Sequence, residues 1–401
     1  MKLAFLAPEF IPTWGGVGVY SVNLIKELSK YSDIDIHVIT PRRDYYDESR
    51  IEKMFGNMIQ VHQISEACDT FFYNFKFQSA ILRKFNKLHK KYHFDLVHSA
   101  NLVHMPDIFL KFRKQSIPNL VTAHTTIKGQ VSGFLQSNKN FFKMAPSEKG
   151  SVLSYPIISM FEWIYLKKTK NMITVSQKFA EEFIKGGYDG NVNVTQNGIV
   201  IDLFNYERVK DPYEDFPQLK CIENPIILFA GRIITQKGIE LFVKVIKSLQ
   251  DKHVHFVIAG KGDIETLHHL LKKYGIRESS CTFLGFVDQH ALPSLYKLSS
   301  IFLLPSYYEN FPISLLEAMA MKCCCIATNV GAVDEIIDNS INGFIVQPGS
   351  VDEIVEKIDY LLENENARVK LAENGYEKVI ARFTSEIMAN KTKKIYEDIL
   401  E

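Results

Sequence analysis

Paired cysteines are missing from this chain. Its six cysteines include no C-x-x-C pair, which argues against both a disulfide framework and a zinc ribbon. Cys323, Cys324 and Cys325 run into Ile326-Ala327 and read as the start of a buried strand. No run reaches the roughly 18 apolar residues that a membrane-crossing helix needs. The opening Met1-Lys-Leu-Ala-Phe-Leu-Ala-Pro-Glu9 lacks the apolar length and cleavage site of a signal peptide, so a cytoplasmic location is expected. A complete dinucleotide fingerprint is also lacking. Gly16-x-Gly18 opens one, but Ser21 stands at its third glycine position. Metal-ligand clusters are absent too. Asp33-Ile-Asp35 has a D-x-D form, yet it lies where a helix ends and a strand begins, away from the strand ends that bind ligands, and no metal is expected.

What is present is a chain of 401 residues, too long for one ordinary core, with 46% hydrophobic and 23% charged residues. The net charge of +1 conceals an asymmetry: residues 1–200 carry 25 Lys/Arg against 17 Asp/Glu, and residues 201–401 carry 22 against 29. The basic stretches Lys84–Lys91, Lys111–Lys114 and Lys167-Lys168 could meet an anionic acceptor or the inner membrane surface, or be solvated helix faces.

The first half alternates short β-branched runs with amphipathic ones, the pattern of a parallel sheet wrapped by helices. Strands are expected at Lys2–Ala7, Asp35–Thr40, Met58–Gln63, Asp95–His98, Asn119–Ala123, Met172–Val175 and Asn193–Gln196. Helices are expected at Val19–Tyr31, Ser79–Tyr92 and Gln177–Lys185. Between Thr125 and Pro156 the periodicity lapses, which reads as a functional or disordered loop. Residues 205–224 read as a linker, and a second alternating series begins at Pro225, with strands expected at Ile226–Ala230, His255–Ala259, Thr282–Leu284, Ile301–Leu304, Cys324–Thr328 and Gly343–Val346. The fold class is α/β: two doubly wound, Rossmann-like parallel-sheet domains facing across a cleft, residues 1–204 and 225–382. A last helix, Ser385–Leu400, follows the second sheet, and residues 383–401 are expected to cross back onto the first domain.

Chemistry concentrates at strand ends. In Ser306-Tyr-Tyr-Glu-Asn-Phe-Pro-Ile-Ser-Leu-Leu-Glu317, Glu309 precedes a helix that Pro312 should open in its first turn, and Glu317 lies inside it. Helix N-terminal N–H groups suit an anionic or hydroxyl-rich ligand, and the carboxylates supply acceptors. Gly231-Arg232…Lys237-Gly238 places two cations on a glycine turn, suited to a pyrophosphate. Ala259-Gly260-Lys-Gly262-Asp263 and Leu284-Gly-Phe286-Val287 end further strands. In the first half, Gly15 and Gly16 precede a helix, and His124 follows a strand. His268-His269 lack such placement.

With these motifs the chain resembles the retaining glycosyltransferases of the GT-B fold, family four (glycosyl transferases group 1). The resemblance rests on Glu309-x7-Glu317, Gly231-Arg232…Lys237-Gly238, Ala259-Gly-x-Gly-Asp263, Leu284-Gly-Phe286 and Thr195-Gln-Asn-Gly198. It implies that Arg232 and Lys237 hold the diphosphate of a nucleotide-sugar. Glu309 would take sugar hydroxyls, aided by backbone around Asn310, Phe311, Pro312 and Ile313, and Glu317 the ribose. Gly231, Gly260 and Gly262 would line the donor, Phe286-Val287 the base. Gly15 and Gly16 would approach the phosphates, and His124 the transferred sugar. His124, Arg232, Lys237 and Glu309 form the expected catalytic set. One position departs from the family pattern: Val200 stands where an Asp is usual, with Asp202 nearby and Phe204 in its expected place.

The resemblance implies a metal-independent hexosyl- or N-acetylhexosaminyl-transferase in glycan, glycolipid or small-glycoside biosynthesis. It would need no cofactor beyond a UDP- or GDP-sugar co-substrate and no nucleic acid. Basic residues in Lys128–Lys149 (Lys128, Lys139, Lys143, Lys149, against Glu148) hint at a phosphate-bearing or lipid-linked acceptor, with peripheral contact at the inner membrane face. Two alternatives remain: an NAD-dependent oxidoreductase, and a nucleotide-sugar-binding protein without activity.

Overall fold

The computed structural model describes every residue except 12–14, 44–47, 68–72, 114–116 and 138–145. Pro12 to Trp14 of the first glycine loop, Lys114, Lys139 and Lys143 therefore lie outside the described residues. The chain divides into two units. One takes the described residues of 1–132, 144–198 and 385–401, the other those of 133–143 and 199–384.

The first unit holds β1 (Lys2–Leu6), β2 (Asp35–Arg43), β3 (Ile59–Ala67), β4 (Leu96–Ser99), β5 (Asn119–Ala123), β6 (Asn171–Thr174) and β7 (Asn191–Val194). They form one sheet in the order β3-β2-β1-β4-β5-β6-β7, every pair parallel. Such a sheet is covered on both faces, so its central strands read as apolar runs: residues 3–6 of β1 are wholly buried. β2 continues past its expected end at Thr40 because a register shift at Thr40/Pro41 admits the proline. The helix expected from Val19 begins at Gly16 and ends at Leu28.

The stretch from Thr125 to Pro156 corrects the expected loop. It contains the helix Ile127–Ser137 and most of the first turns of Pro146–Lys167. The second helix shows little apolar periodicity because its outward face is apolar as well as its inward one. The final helix, Ser385–Leu400, returns to the first unit. There Lys393 Nζ lies 3.0 Å from Asp33, and Ser385 Oγ donates to Glu27 at 3.1 Å. Asp33 of the D-x-D is thus held by a lysine, which lowers its pKa chiefly through that hydrogen bond.

The second unit holds β8 (Ile226–Ala230), β9 (His255–Ala259), β10 (Cys281–Gly285), β11 (Ile301–Leu304), β12 (Cys324–Thr328) and β13 (Phe344–Val346). Its sheet, also all parallel, runs β10-β9-β8-β11-β12-β13. Phe229, Phe242 and Phe256 anchor the core between β8–β9 and the helix Ile239–Leu249. Residues 205–224, expected as a linker, cluster with this unit. Lys297 Nζ donates to the carbonyls of Tyr206 (3.0 Å) and Val209 (2.5 Å), and Phe216 and Leu219 are buried. Among the described residues no helix is long and apolar enough to cross a membrane.

Candidate active site

The C-terminal ends of β8, β9 and β11 in the second unit converge through turns that tolerate no side chain at Gly238 or Gly260. Gly238 has φ 73°, and a Cβ there would stand 1.9 Å from the Pro305 carbonyl oxygen. A Cβ on Gly260 (φ 152°) would stand 1.7 Å from the Gly231 carbonyl oxygen. Backbone bonds fasten the turns: Gly231 N–H donates to Ala259 (2.9 Å), Ile233 N–H to Lys261 (2.7 Å) and Tyr307 N–H to Gln236 (2.9 Å). Close backbone approach therefore brings the segment 231–238 against the segment 305–309.

Lys237 and Glu309, 72 positions apart, meet there. Lys237 Nζ donates to Glu309 Oε1 at 2.6 Å, and Ser306 Oγ donates to the same oxygen at 2.7 Å. Glu309 is buried, so it needs these partners. Its backbone is fixed by Gly331 (φ 58°), where a Cβ would stand 2.1 Å from the Glu309 carbonyl oxygen, and by Ala332 N–H donating to Asn310 at 2.9 Å. Thr328 Oγ1 donates to the Ser306 carbonyl at 2.5 Å and holds the start of the loop.

Pro312 is the N-cap of the following helix, Ile313–Ala320, one place before the first turn expected for it. The Phe311 ring is buried against Phe383 with centroids 5.5 Å apart, so Phe311 can offer a ligand only its backbone. Glu317 is buried on the helix and accepts from Tyr296 OH at 3.1 Å. Burial pushes its carboxyl up to about 7, against the opposing bond from Tyr296.

Other expected donor residues border this region. Arg232 is exposed on the turn after β8. A Cβ on Gly231 would meet nothing within 4 Å, so the fold itself leaves room there. Gly262 (φ 149°) is set by backbone, since its Cβ would stand 2.2 Å from the Ile233 carbonyl oxygen. Phe286 is exposed with Lys261 Nζ 3.9 Å above its ring, and Val287 follows it half-buried.

In the first unit, Gly15 is the N-cap of Gly16–Leu28 with extended backbone that any residue adopts. A Cβ on Gly16 would meet nothing within 4 Å. His124 directly follows β5 and packs edge-on to Tyr20, centroids 4.3 Å apart. Burial drives its pKa down to about 3, with the Ala100 backbone opposing, so the imidazole is neutral near pH 7. Tyr20 OH pairs with Thr122 Oγ1 at 2.9 Å; Thr122 also meets His98 Nε2 at 2.7 Å, and His98 Nδ1 meets Tyr396 OH at 2.5 Å.

Ser306, Tyr296, Thr328 and Gly331, and the Tyr20–Thr122–His98–Tyr396 chain, were not legible as site residues in the sequence. Only Ser306 carried a signal, three positions before Glu309; the others reach their partners across long separations. Asp202 does not replace the missing acid at Val200. Its carboxylate is exposed and pairs with Arg208 at 2.9 Å, while Val200 and Phe204 are buried.

Comparison with known proteins bears on the family and the fold. The family described as Glycosyltransferase Family 4 matches residues 14–203, and that described as Glycosyl transferases group 1 matches residues 214–378. An uncharacterized glycosyltransferase of Methanocaldococcus jannaschii is 26% identical over 415 residues, covering 100% of this chain and 99% of its own. The N,N'-diacetylbacillosaminyl-diphospho-undecaprenol alpha-1,3-N-acetylgalactosaminyltransferase of Campylobacter jejuni is 24% identical, covering 100% of both chains. The structure of Anabaena HepE in complex with UDP-glucose superposes with a TM-score of 0.75 at 17% identity, covering 99% of this chain and 100% of that one. The two matched segments span most of the chain, each on its own parallel-sheet unit, and the chain belongs to the group 1, family four glycosyltransferases of GT-B fold.

Proposed function

We propose that the chain moves a hexosyl or N-acetylhexosaminyl group from a UDP- or GDP-sugar to a hydroxyl acceptor, with retention at the anomeric carbon. The observation that carries this reading is the Lys237–Glu309 contact beside the open Gly231 turn. A cation for a diphosphate and an acceptor for sugar hydroxyls stand together where the glycine leaves space. That Anabaena HepE was solved with UDP-glucose supports a nucleotide-sugar donor.

Chemistry follows from charge. As the bond from the anomeric carbon to the diphosphate oxygen breaks, negative charge builds on the leaving group, and Lys237 and Arg232 stabilise it. The acceptor oxygen bonds to the anomeric carbon on the same face, and its proton passes to the departing phosphate oxygen. Glu309 is no nucleophile in this scheme. Its Oε1 is engaged by Lys237 and Ser306, and its Oε2 accepts from a sugar hydroxyl. Glu317 takes ribose hydroxyls, Phe286-Val287 the base, and Gly231, Gly260, Gly262 and the backbone of Asn310–Ile313 line the donor. Gly15, Gly16 and His124 are the first unit's proposed contacts to phosphate and sugar.

A phosphate-bearing or lipid-linked acceptor, met at a membrane face, is part of the proposal. The Campylobacter relative, which by its name acts on a diphospho-undecaprenol, supports it. Nucleotide release from a panel of UDP-, GDP- and ADP-sugars tests the reading. Release with one donor and its loss in Lys237→Ala is expected; binding of NAD with no nucleotide-sugar turnover would overturn it.

A further inference from the structure

The helix Pro146–Lys167 presents an apolar face to solvent. Leu153 is 71% exposed and Trp163 61%, with Ile157, Met160 and Phe161 exposed between them. At 100° per residue these five side chains fall within an arc of about 160°. Single exposed apolar residues are ordinary, but a contiguous stripe of this kind marks an interaction surface.

Charge identifies the occupant. From Gly150 to Leu166 the only charged residue is Glu162, and it is turned inward, accepting from the Ile127 N–H at 2.9 Å. The helix is tied down on its inner face by Tyr165, whose hydroxyl donates to Asp107 at 2.5 Å. Cations follow at its C-terminal end. Lys167, Lys168 and Lys170 are exposed, and Lys168 Nζ sits 5.3 Å from the ring of exposed Phe112. An apolar stripe with an exposed tryptophan and a flanking cluster of lysines, and between Gly150 and Leu166 no acid but the inward Glu162, complements an anionic lipid surface: rings and aliphatic chains enter the headgroup boundary, and ammonium groups meet lipid phosphates.

We propose that this helix docks the chain onto an anionic bilayer, lying in the interface plane with Leu153, Ile157, Met160, Phe161 and Trp163 inserted. Of the basic stretches from which a membrane contact is expected, this keeps Lys167-Lys168. Lys111 is buried, 3.4 Å from Asp107, and Lys84 Nζ donates to the Ile64 carbonyl at 2.8 Å, so neither is a surface anchor. Docking names the partner of a face outside the donor residues and does not rest on the transferase reading, although a lipid-linked acceptor would be met there.

Co-sedimentation of the full chain with vesicles tests it. Vesicles of phosphatidylcholine containing about a third phosphatidylglycerol should bind the chain at least about tenfold better than phosphatidylcholine alone. Ile157→Glu and Trp163→Glu should each lower that binding about tenfold or more, and Lys167→Glu/Lys168→Glu should weaken it and its salt dependence. Ile341→Glu, an equally exposed apolar residue of the second unit, should bind as the unaltered chain does. Circular dichroism and nucleotide release from soluble donor check that the variants fold and that a failure here is separate from failure of the enzymatic reading. Unchanged vesicle binding by both Ile157→Glu and Trp163→Glu would overturn the proposal. So would a dimer in sedimentation equilibrium that Ile157→Glu converts to monomer, because a second copy would then cover this face.

Discussion

Lys237 Nζ lies 2.6 Å from Glu309 Oε1, and the two residues come from turns that follow adjacent strands of one parallel sheet. The carboxylate is buried and the ammonium is the more exposed partner, so the lysine both neutralises Glu309 and remains able to face an anion.

Removing the lysine should therefore act twice. Lys237→Ala should lower nucleotide release roughly a hundredfold or more, as loss of one group stabilising the leaving charge does. It should also destabilise the second unit, because a buried carboxylate loses its cation and, among the described residues, keeps its hydrogen bond from Ser306. Lys237→Ala/Glu309→Gln should regain part of that stability without regaining activity, read by urea unfolding and release rates side by side. A double variant less stable than Lys237→Ala would show that the pair is not what Glu309 depends on.

Glycines divide into those the fold demands and those it does not. Gly238→Ala and Gly260→Ala should each cost at least about 2 kcal/mol, since both need positive φ and both meet a carbonyl oxygen. Gly231→Ala, which meets nothing, should melt within about 0.5 kcal/mol of the parent and lose donor affinity instead. Thermal unfolding with and without donor separates the two classes; a Gly231→Ala protein that binds donor normally would contradict the role given to that turn.

Glu317 gives the second unit a pH dependence. Its carboxyl is raised from 4.5 to about 7 by burial, so between those values the folded chain holds a proton that the unfolded chain has released. Stability from this group is complete below about pH 4.5 and is lost as pH rises through 7, up to about 3 kcal/mol in all. Glu317→Gln should remove the loss, so its stability relative to the parent should rise from pH 5 to pH 8. Glu162 of the first unit shifts in the same direction but is common to both proteins and cancels. A constant difference across that range would contradict the assignment.

His124 should contribute no acidic limb to activity above pH 5. Burial holds it neutral until about pH 3, so it meets a sugar as an uncharged hydrogen-bonding ring. His124→Asn should lower kcat with an unchanged pH profile between 5 and 8. A limb near pH 6 that disappears in the variant would show that a charged imidazole is used.

Much of the fold was legible because parallel strands buried on both faces announce themselves as apolar runs. β5, β8, β9, β11 and β12 begin and end where the sequence places them. Misreadings have physical causes. The helix Pro146–Lys167 carries no readable periodicity because exposed Leu153, Ile157 and Trp163 erase it. β2 overran Pro41 because a register shift absorbs a residue that normally ends a strand. Within the site, Glu309, Glu317 and Lys237 stood out by residue type and spacing. What fixes them did not: Tyr296 reaches Glu317 across 21 positions, and Lys237 reaches Glu309 across 72. No local pattern encodes such pairings.

The most direct test of the central claim is the melting temperature of the second unit with UDP, GDP and NAD, in the parent and in Lys237→Ala. A nucleoside diphosphate present at about a hundred times its Kd should stabilise the parent by about 2.7 kcal/mol, and the stabilisation should be largely lost in the variant. Stabilisation by NAD alone, or an equal shift by UDP or GDP in both proteins, would contradict the account.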